Sequence, residues 1–273
     1  MKSLSVCIPN YNNSTYLPAC LDSVLKQDYP ISEIVIYDDC STDGSREILQ
    51  RYALSDQRIR LILPSENKGV SIARDTAIRS CTSEYVTTID SDDFYYDSQK
   101  LSREMNVINS HDTPACSFSQ TVFADEEGNI TGDVKILDLQ KDFRFRTVTQ
   151  TIGVHVARDI CFPLDAYLDV GGFVHDMKLF EDWDLSLKLM SRCPFYFSGG
   201  FGTAYRQKAG GLSNVSQKKI VAAKIRAFRQ GGRYLKYTFP ERLVFYGRTY
   251  ICALIDFWIS FKNKRSHNKR AGA

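Results

Sequence analysis

A chain of 273 residues with 43% apolar and 25% charged content is long enough for one large α/β domain, or one domain with an appendage, and is ordinary for a folded soluble protein. Eight scattered cysteines without a CxxC pair, and only four histidines, argue against a zinc site and suit a reducing, cytoplasmic setting. The net charge of +3 hides an asymmetry: residues 218–273 hold fourteen Lys/Arg against two acids, Glu241 and Asp256, so the preceding body is acidic.

The opening Met1-Lys2-Ser3-Leu4-Ser5-Val6-Cys7-Ile8-Pro9 reads as a core strand rather than a signal peptide, since no long apolar run precedes the first turn. Leu17, Leu21, Val24 and Leu25 then fall on one face of a helix. Glu33 to Tyr37 is a second strand, closed by Asp38-Asp39, and Asp43 is placed to cap a helix carrying Ile48, Leu49 and Tyr52. Ile59 to Leu63 forms a third strand; Val70, Ala73, Ala77 and Ile78 mark the next helix, and Tyr85 to Ile89 the next strand. Strands alternating with helices predict right-handed crossovers and a doubly wound, mainly parallel sheet.

Such sheets bind ligands beyond the carboxyl ends of their strands. Three of those ends are polar here: Pro9-Asn10-Tyr11-Asn12-Asn13, Asp38-Asp39-Cys40-Ser41-Thr42-Asp43 and Asp90-Ser91-Asp92-Asp93. The last sets three carboxylates within four residues, a repulsion that a divalent cation with oxygen preference relieves; an acidic turn is the ordinary alternative. All three ends are expected at one crevice.

Beyond residue 110 the pattern changes. Phe118 to Phe123, the turn Glu127-Gly128-Asn129 and a polar strand predict a hairpin. Trp183, Leu187 and Met190 define a helix whose start carries Glu181, Asp182 and Asp184. Residues 218–236 read as a basic helix. The apolar run from Leu243 to Phe261 is interrupted by Arg248 and Asp256, so it reads as an amphipathic surface helix or one packed on the domain rather than a membrane span.

No G-x-G-x-x-G follows the first strand, and no P-loop or Gly-x-Ser-x-Gly elbow occurs. Instead, five segments appear in order: Ser5 to Asn12, Glu33 to Gly44, Asn67-Lys68-Gly69-Val70-Ser71-Ile72-Ala73-Arg74, Asp90 to Asp93, and Glu181-Asp182-Trp183-Asp184-Leu185. Over roughly residues 3–215 this series resembles the family-2 inverting glycosyltransferases. The resemblance implies a GT-A-type fold, nucleotide-diphospho-sugar transferase-like, with a C-terminal helical extension. It divides the chain into a domain over 1–217 (nucleotide-binding half 1–110, acceptor half 111–217) and a basic, aromatic-rich tail over 218–273.

The resemblance also implies roles. Pro9, Tyr11, Asp39, Lys68, Arg74, Asp90, Asp92, Asp93 and Arg206 are expected around a nucleotide-sugar, with Asp92 and Asp90 on Mn²⁺ or Mg²⁺. Tyr11 would stack on a pyrimidine. Asp39 would accept the N3–H of uracil, or of thymine as second choice, while Asp38 bonds turn amides. Position 75 is Asp, where the family usually carries Asn. Asp182 is expected to act as general base, with Glu181 as the alternative. Ordinary acids complementing a helix dipole are the plain reading of that pair. Tyr205-Arg206-Gln207 and Ser213, flanked by Gly199-Gly200, Gly202 and Gly210-Gly211, suit a lid over the diphosphate or a glycine-rich surface loop. His155, His175 and Trp183 are candidates to touch the acceptor.

The implied function is metal-dependent sugar transfer from a UDP-sugar to a glycan or lipid-linked saccharide, in surface polysaccharide biosynthesis. The basic tail then makes peripheral contact with the inner face of the plasma membrane. A nucleotidyltransferase would carry a Gly-rich loop with Arg and Lys after the first strand, where this chain has Pro9 to Asn13. A non-catalytic nucleotide-sugar-binding protein would not need both Asp92 and Asp182. A nucleic acid partner is not expected, given the acidic body and the lack of a reading motif.

Overall fold

The computed structural model describes residues 1–131, 139–150, 159–208 and 216–251. In chain order the first half runs β1 (Leu4–Asn10), α1 (Leu17–Leu25), β2 (Glu33–Asp38), α2 (Ser45–Ser55), β3 (Ile59–Ile62), α3 (Val70–Arg79), β4 (Tyr85–Thr88), β5 (Phe94–Tyr95) and α4 (Lys100–Asn109). The second half adds β6 (Cys116–Ala124), β7 (Ile130–Thr131), α5 (Phe143–Thr149), β8 (Phe162–Pro163), α6 (Leu164–Asp169), α7 (Glu181–Leu189), β9 (Phe195–Arg206) and α8 (Gln217–Gly231). Residues 239–251 are helical as well.

The first sheet has the order β3-β2-β1-β4-β8. β1 pairs in parallel with β2 and β4, β2 with β3, and only the edge strand β8 is antiparallel. Side chains alternate across such strands. Leu4, Val6, Ile8, Ile34 and Ile36 therefore meet one apolar layer, which includes Leu17, Leu21 and Val24 of α1 and Leu101, Met105 and Ile108 of α4. Cys7, Val35 and Tyr37 meet the other, with Ala73, Ala77 and Ile78 of α3 and Leu185 and Leu189 of α7. Both faces are covered, as a doubly wound sheet requires.

The second sheet, β5-β9-β6-β7, is mixed: β6 runs parallel to β9 and antiparallel to β7. The expected hairpin is the β6–β7 pair. A bridge between Ser117 and Cys161 joins this sheet to the first. The expected helix cap differs by one position, because Gly44 occupies the N-cap of α2 and Asp43 accepts the amide of Ser45 at 3.1 Å from one residue earlier. The φ of 88° at Gly44 lies in the left-handed region, which glycine adopts without a Cβ penalty.

A third apolar cluster joins α7 to α8 and to the helix over 239–251. Trp183 and Leu187 pack with Phe228, Leu235, Tyr237 and Phe245, and the Phe228 and Phe245 rings stack at 3.9 Å. The described part of the tail is thus seated on the domain. Residues 252–261 of the apolar run lie outside the described residues. No described helix is long and apolar enough to cross a membrane.

Candidate active site

The strand order sets the ends of β2, β1 and β4 side by side, and side-chain hydrogen bonds knit them together. Asn10 Nδ2 donates to Asp38 Oδ2 at 2.8 Å, Asn12 Oδ1 accepts the amide of Thr42 at 2.8 Å, and Asn13 Nδ2 donates to Ser91 Oγ at 2.9 Å. Pro9 is buried within β1, whereas Tyr11, just past it, is half exposed.

The two adjacent acids of β2 have separate tasks. Asp38, fully buried, accepts the amide of Ser41 and pairs with Arg46 Nε at 2.8 Å, so it stiffens its own turn. Asp39 accepts the amides of Lys68 and Gly69, each at 2.7 Å. Those amides immediately precede α3, so Asp39 fixes where that helix begins. The Lys68 ammonium points to Glu66 at 3.2 Å.

Helix α3 then reaches both acidic segments. Arg74 is almost wholly buried; its Nη2 contacts both Asp90 oxygens at 2.6 and 2.8 Å, and its Nη1 donates to Glu181 Oε1 at 2.6 Å. One guanidinium therefore joins the strand-end acids to the start of α7, 107 residues away. Burial, then the neighbouring Asp182 charge, holds the Glu181 carboxyl above the ordinary range, while Arg74 pulls it back. Four further hydrogen bonds tie α3 to the segment before α7, three to the loop itself and one to Tyr167 of α6. Ser71 donates to the Met177 carbonyl, Arg79 to the Gly171 carbonyl, and Tyr167 and His175 meet the two oxygens of Asp75. Burial raises the Asp75 carboxyl, but the bonds from Tyr167, Arg79 and His175 outweigh it and leave it below the usual value.

Between these elements lies a narrow cleft whose walls include Arg74, Asp90, Asp93, Phe173, Asp182 and Tyr205. Asp182 faces it while one of its oxygens accepts the amide of Trp183 at 2.7 Å. Asp90 and Asp93 thus share one cavity with Asp182. Glu181 is bound to its rim through Arg74. Asp39 and Asp92 are not among the lining residues.

One carboxylate oxygen from each of Asp90, Asp92 and Asp93 lies within 4.8 Å of the others. An all-oxygen set of that spacing fits Mg²⁺ or Mn²⁺. Cationic side chains already crowd the same acids, with Arg74 on Asp90 and Lys208 Nζ on Asp92 Oδ2 at 2.6 Å. The cluster therefore attracts positive charge strongly.

Several expected contacts take other forms. The Arg206 guanidinium donates to the backbone carbonyls of Asp92 and Glu126, both at 2.8 Å, and lies over the rings of Tyr16 and Phe94. Its amide donates to Asp93 at 2.8 Å. In this structure Arg206 fastens the acidic turn to the β6–β7 turn. Trp183 is buried and donates its indole N–H to the Thr147 carbonyl at 2.9 Å, so its contacts are with the core rather than an acceptor. His175 remains half exposed beside Asp75. His155, Gly210, Gly211 and Ser213 lie outside the described residues.

Two groups escaped the sequence reading. Lys208 stands two residues beyond Arg206, a position that the lid segment could have suggested. Asp159 lines the cleft with Thr203, which donates to it, and is 3.5 Å from the fully buried Lys100 ammonium; Lys100 also pairs with Glu104 at 2.9 Å. No local signal marks that network, since Lys100 and Glu104 at i and i+4 read as a solvent-facing helix pair.

The sequence model described as glycosyl transferase family 2 matches residues 5–167. The chain belongs to that family. Among curated relatives, a Bacillus subtilis glycosyltransferase named for teichuronic acid biosynthesis, TuaG, is 38% identical over 121 residues, 44% of this chain and 46% of its own. The chondroitin synthase of Escherichia coli is 30% identical over 192 residues, 70% of this chain and 27% of its own. The chain therefore spans less than half the length of either. Among solved structures, S. aureus TarS in complex with UDP-GlcNAc superposes with a TM-score of 0.69 at 20% identity, covering 89% of this chain and 70% of that one. The Pyrobaculum calidifontis mannosyltransferase PcManGT, in complex with GDP-Man and Mn²⁺, gives 0.66 at 21%, covering 91% and 69%. The fold of this family-2 glycosyltransferase is accordingly GT-A, with a parallel-rich α/β sheet.

Proposed function

We propose that this cleft transfers a sugar from a UDP-sugar to a glycan or lipid-linked saccharide, with inversion and with help from a divalent cation, in surface polysaccharide biosynthesis. The observation that carries the reading is the Arg74 bridge, which ties Asp90 to Glu181 beside a cavity that Asp90 and Asp182 both line. The names of TuaG and chondroitin synthase support a polysaccharide product. UDP-GlcNAc in TarS and GDP-Man in PcManGT support a nucleotide-sugar donor, and together they show that one fold accepts different bases. Asp39 and Tyr11 favour a pyrimidine, since a carboxylate accepts the N3–H of uracil and an exposed ring can stack on it.

In the displacement, Asp182 takes the proton of the acceptor hydroxyl. The acceptor oxygen forms a bond to the anomeric carbon, and the bond from that carbon to the diphosphate oxygen breaks on the opposite face. Asp182 suits the base better than Glu181 because Glu181 is held in the Arg74 ion pair. Asp90, Asp92 and Asp93 would hold the cation, which when bound neutralises charge building on the leaving diphosphate.

The test is a donor screen that follows nucleotide release from UDP-, dTDP- and GDP-sugars with Mn²⁺. Turnover with a UDP-sugar is expected. Asp182→Asn should lower it by about 10²–10⁴-fold at unchanged nucleotide affinity. Asp92→Ala should weaken nucleotide binding as well. Full turnover in Asp182→Asn would overturn the assignment of the base.

A further inference from the structure

We infer that the helix over residues 239–251 lies on an anionic lipid surface through a face that the domain leaves uncovered. Phe239, Leu243 and Tyr250 recur along one stripe and Ile251 borders it; they are 77%, 62%, 57% and 57% exposed. Isolated exposed apolar residues are ordinary, but three along a single helical stripe with a fourth at its edge are not. The opposite stripe is committed to the protein. Glu241, Phe245 and Thr249 are buried there, Glu241 pairs with Arg144 at 3.0 Å, and Phe245 stacks on Phe228. Rolling the helix to hide its apolar stripe would break those contacts. The stripe therefore faces outward by construction.

Charge identifies the occupant. Glu241 is the only acid between residues 232 and 251, and it is buried against Arg144, whereas Arg233, Lys236 and Arg242 are exposed. Over residues 218–273 basic residues outnumber acids fourteen to two. Apolar side chains flanked by such charge match the boundary between acyl chains and anionic headgroups. Two copies pairing through the same stripe would bring like charges face to face. Because its opposite stripe is seated on the domain, the helix lies along the surface with the exposed stripe toward the lipid.

The contact has a use that rests on the proposed function. Phe245 lies 5.8 Å from the ring of Trp183, the residue after Asp182. The lipid-facing helix thus packs directly on the helix that carries the base, which holds that helix close to a leaflet in which a lipid-linked acceptor would be anchored.

The experiment is co-sedimentation of the full chain with vesicles of phosphatidylcholine containing about a third phosphatidylglycerol, a composition that supplies the negative surface potential. The comparison proteins are Phe239→Glu/Leu243→Glu and Arg233→Gln/Lys236→Gln/Arg242→Gln. Both should melt like wild type, because these side chains are exposed, and both should partition about tenfold or more weaker. Binding should also fall at high salt and on vesicles of phosphatidylcholine alone. No binding by wild type, or equal binding by all three proteins, would overturn the inference. So would a wild-type dimer that the first variant abolishes, with vesicles left unbound. The readout needs no sugar donor, so it is independent of whether the transferase reading stands.

Discussion

Arg74→Met removes the charge that joins the two acidic segments while keeping an apolar stem against Phe173, over whose ring the guanidinium lies at 5.9 Å. The substitution leaves Asp90 and Glu181, with side chains 20% and 10% exposed, facing each other without a cation. Losing one partner of a buried ion pair costs about 3–5 kcal/mol; partial access at Asp90 favours the lower end, about 3 kcal/mol near neutral pH. For a chain of this size that corresponds to a fall in melting temperature of about 6–12 °C. The loss should depend on pH. The Glu181 carboxyl already titrates above its ordinary value because of burial and Asp182, and without Arg74 it moves higher still. A group raised in the folded state adds stability that is complete below its unfolded value, about 4.3, and is lost as pH rises through its folded value. The gap between variant and wild type should therefore shrink toward about pH 5 and widen toward pH 7.5. Thermal melts of both proteins at the two pH values provide the check. A gap that does not change with pH, or one below about 1 kcal/mol, would refute the claim that Arg74 compensates buried carboxylates.

Two further substitutions probe the elements around the cleft. At Gly172, with φ of 67°, an added Cβ would sit 2.5 Å from Asp75 Oδ1 and 2.8 Å from the Tyr167 ring. Gly172→Ala should lower stability by about 1–3 kcal/mol in denaturant melts and slow turnover, since the same loop leads to Asp182; wild-type values in both would contradict the packing. Lys100→Met strands Glu104 and Asp159 in the interior and should destabilise by about 3 kcal/mol, relieved in part by Glu104→Gln in the same chain. Additive losses in the double variant would show that the two groups are not coupled.

The first hundred residues were legible because their signals are local. Leu4, Val6 and Ile8, with Ile34 and Ile36, fill one apolar layer while Cys7 and Val35 fill the other, so both strands read as short apolar runs, and the polar segments after them mark the sheet's carboxyl edge. The links that build the cleft were not legible. Arg74 meets Glu181 across 107 residues, and Lys208 meets Asp92 from the far end of β9. Nothing in periodicity specifies such partners, because each side chain reads locally as a surface charge. The parallel pairing of β6 with β9 was hidden for the same reason, since register shifts interrupt it and its strands are distant in the chain. The tail's period showed two faces, but only packing reveals that Phe245 belongs inside while Leu243 does not.

The central claim is that acids from separate strand ends gather at one nucleotide and one cation, with a proton acceptor opposite. Anomalous diffraction at the manganese edge, from crystals grown with UDP and Mn²⁺, tests it most directly. The account predicts a peak within about 2.0–2.3 Å of carboxylate oxygens of Asp92 and its neighbours, with the diphosphate beside it and Asp182 across the cleft. A peak away from Asp90, Asp92 and Asp93, or a uracil remote from Asp39, would contradict it.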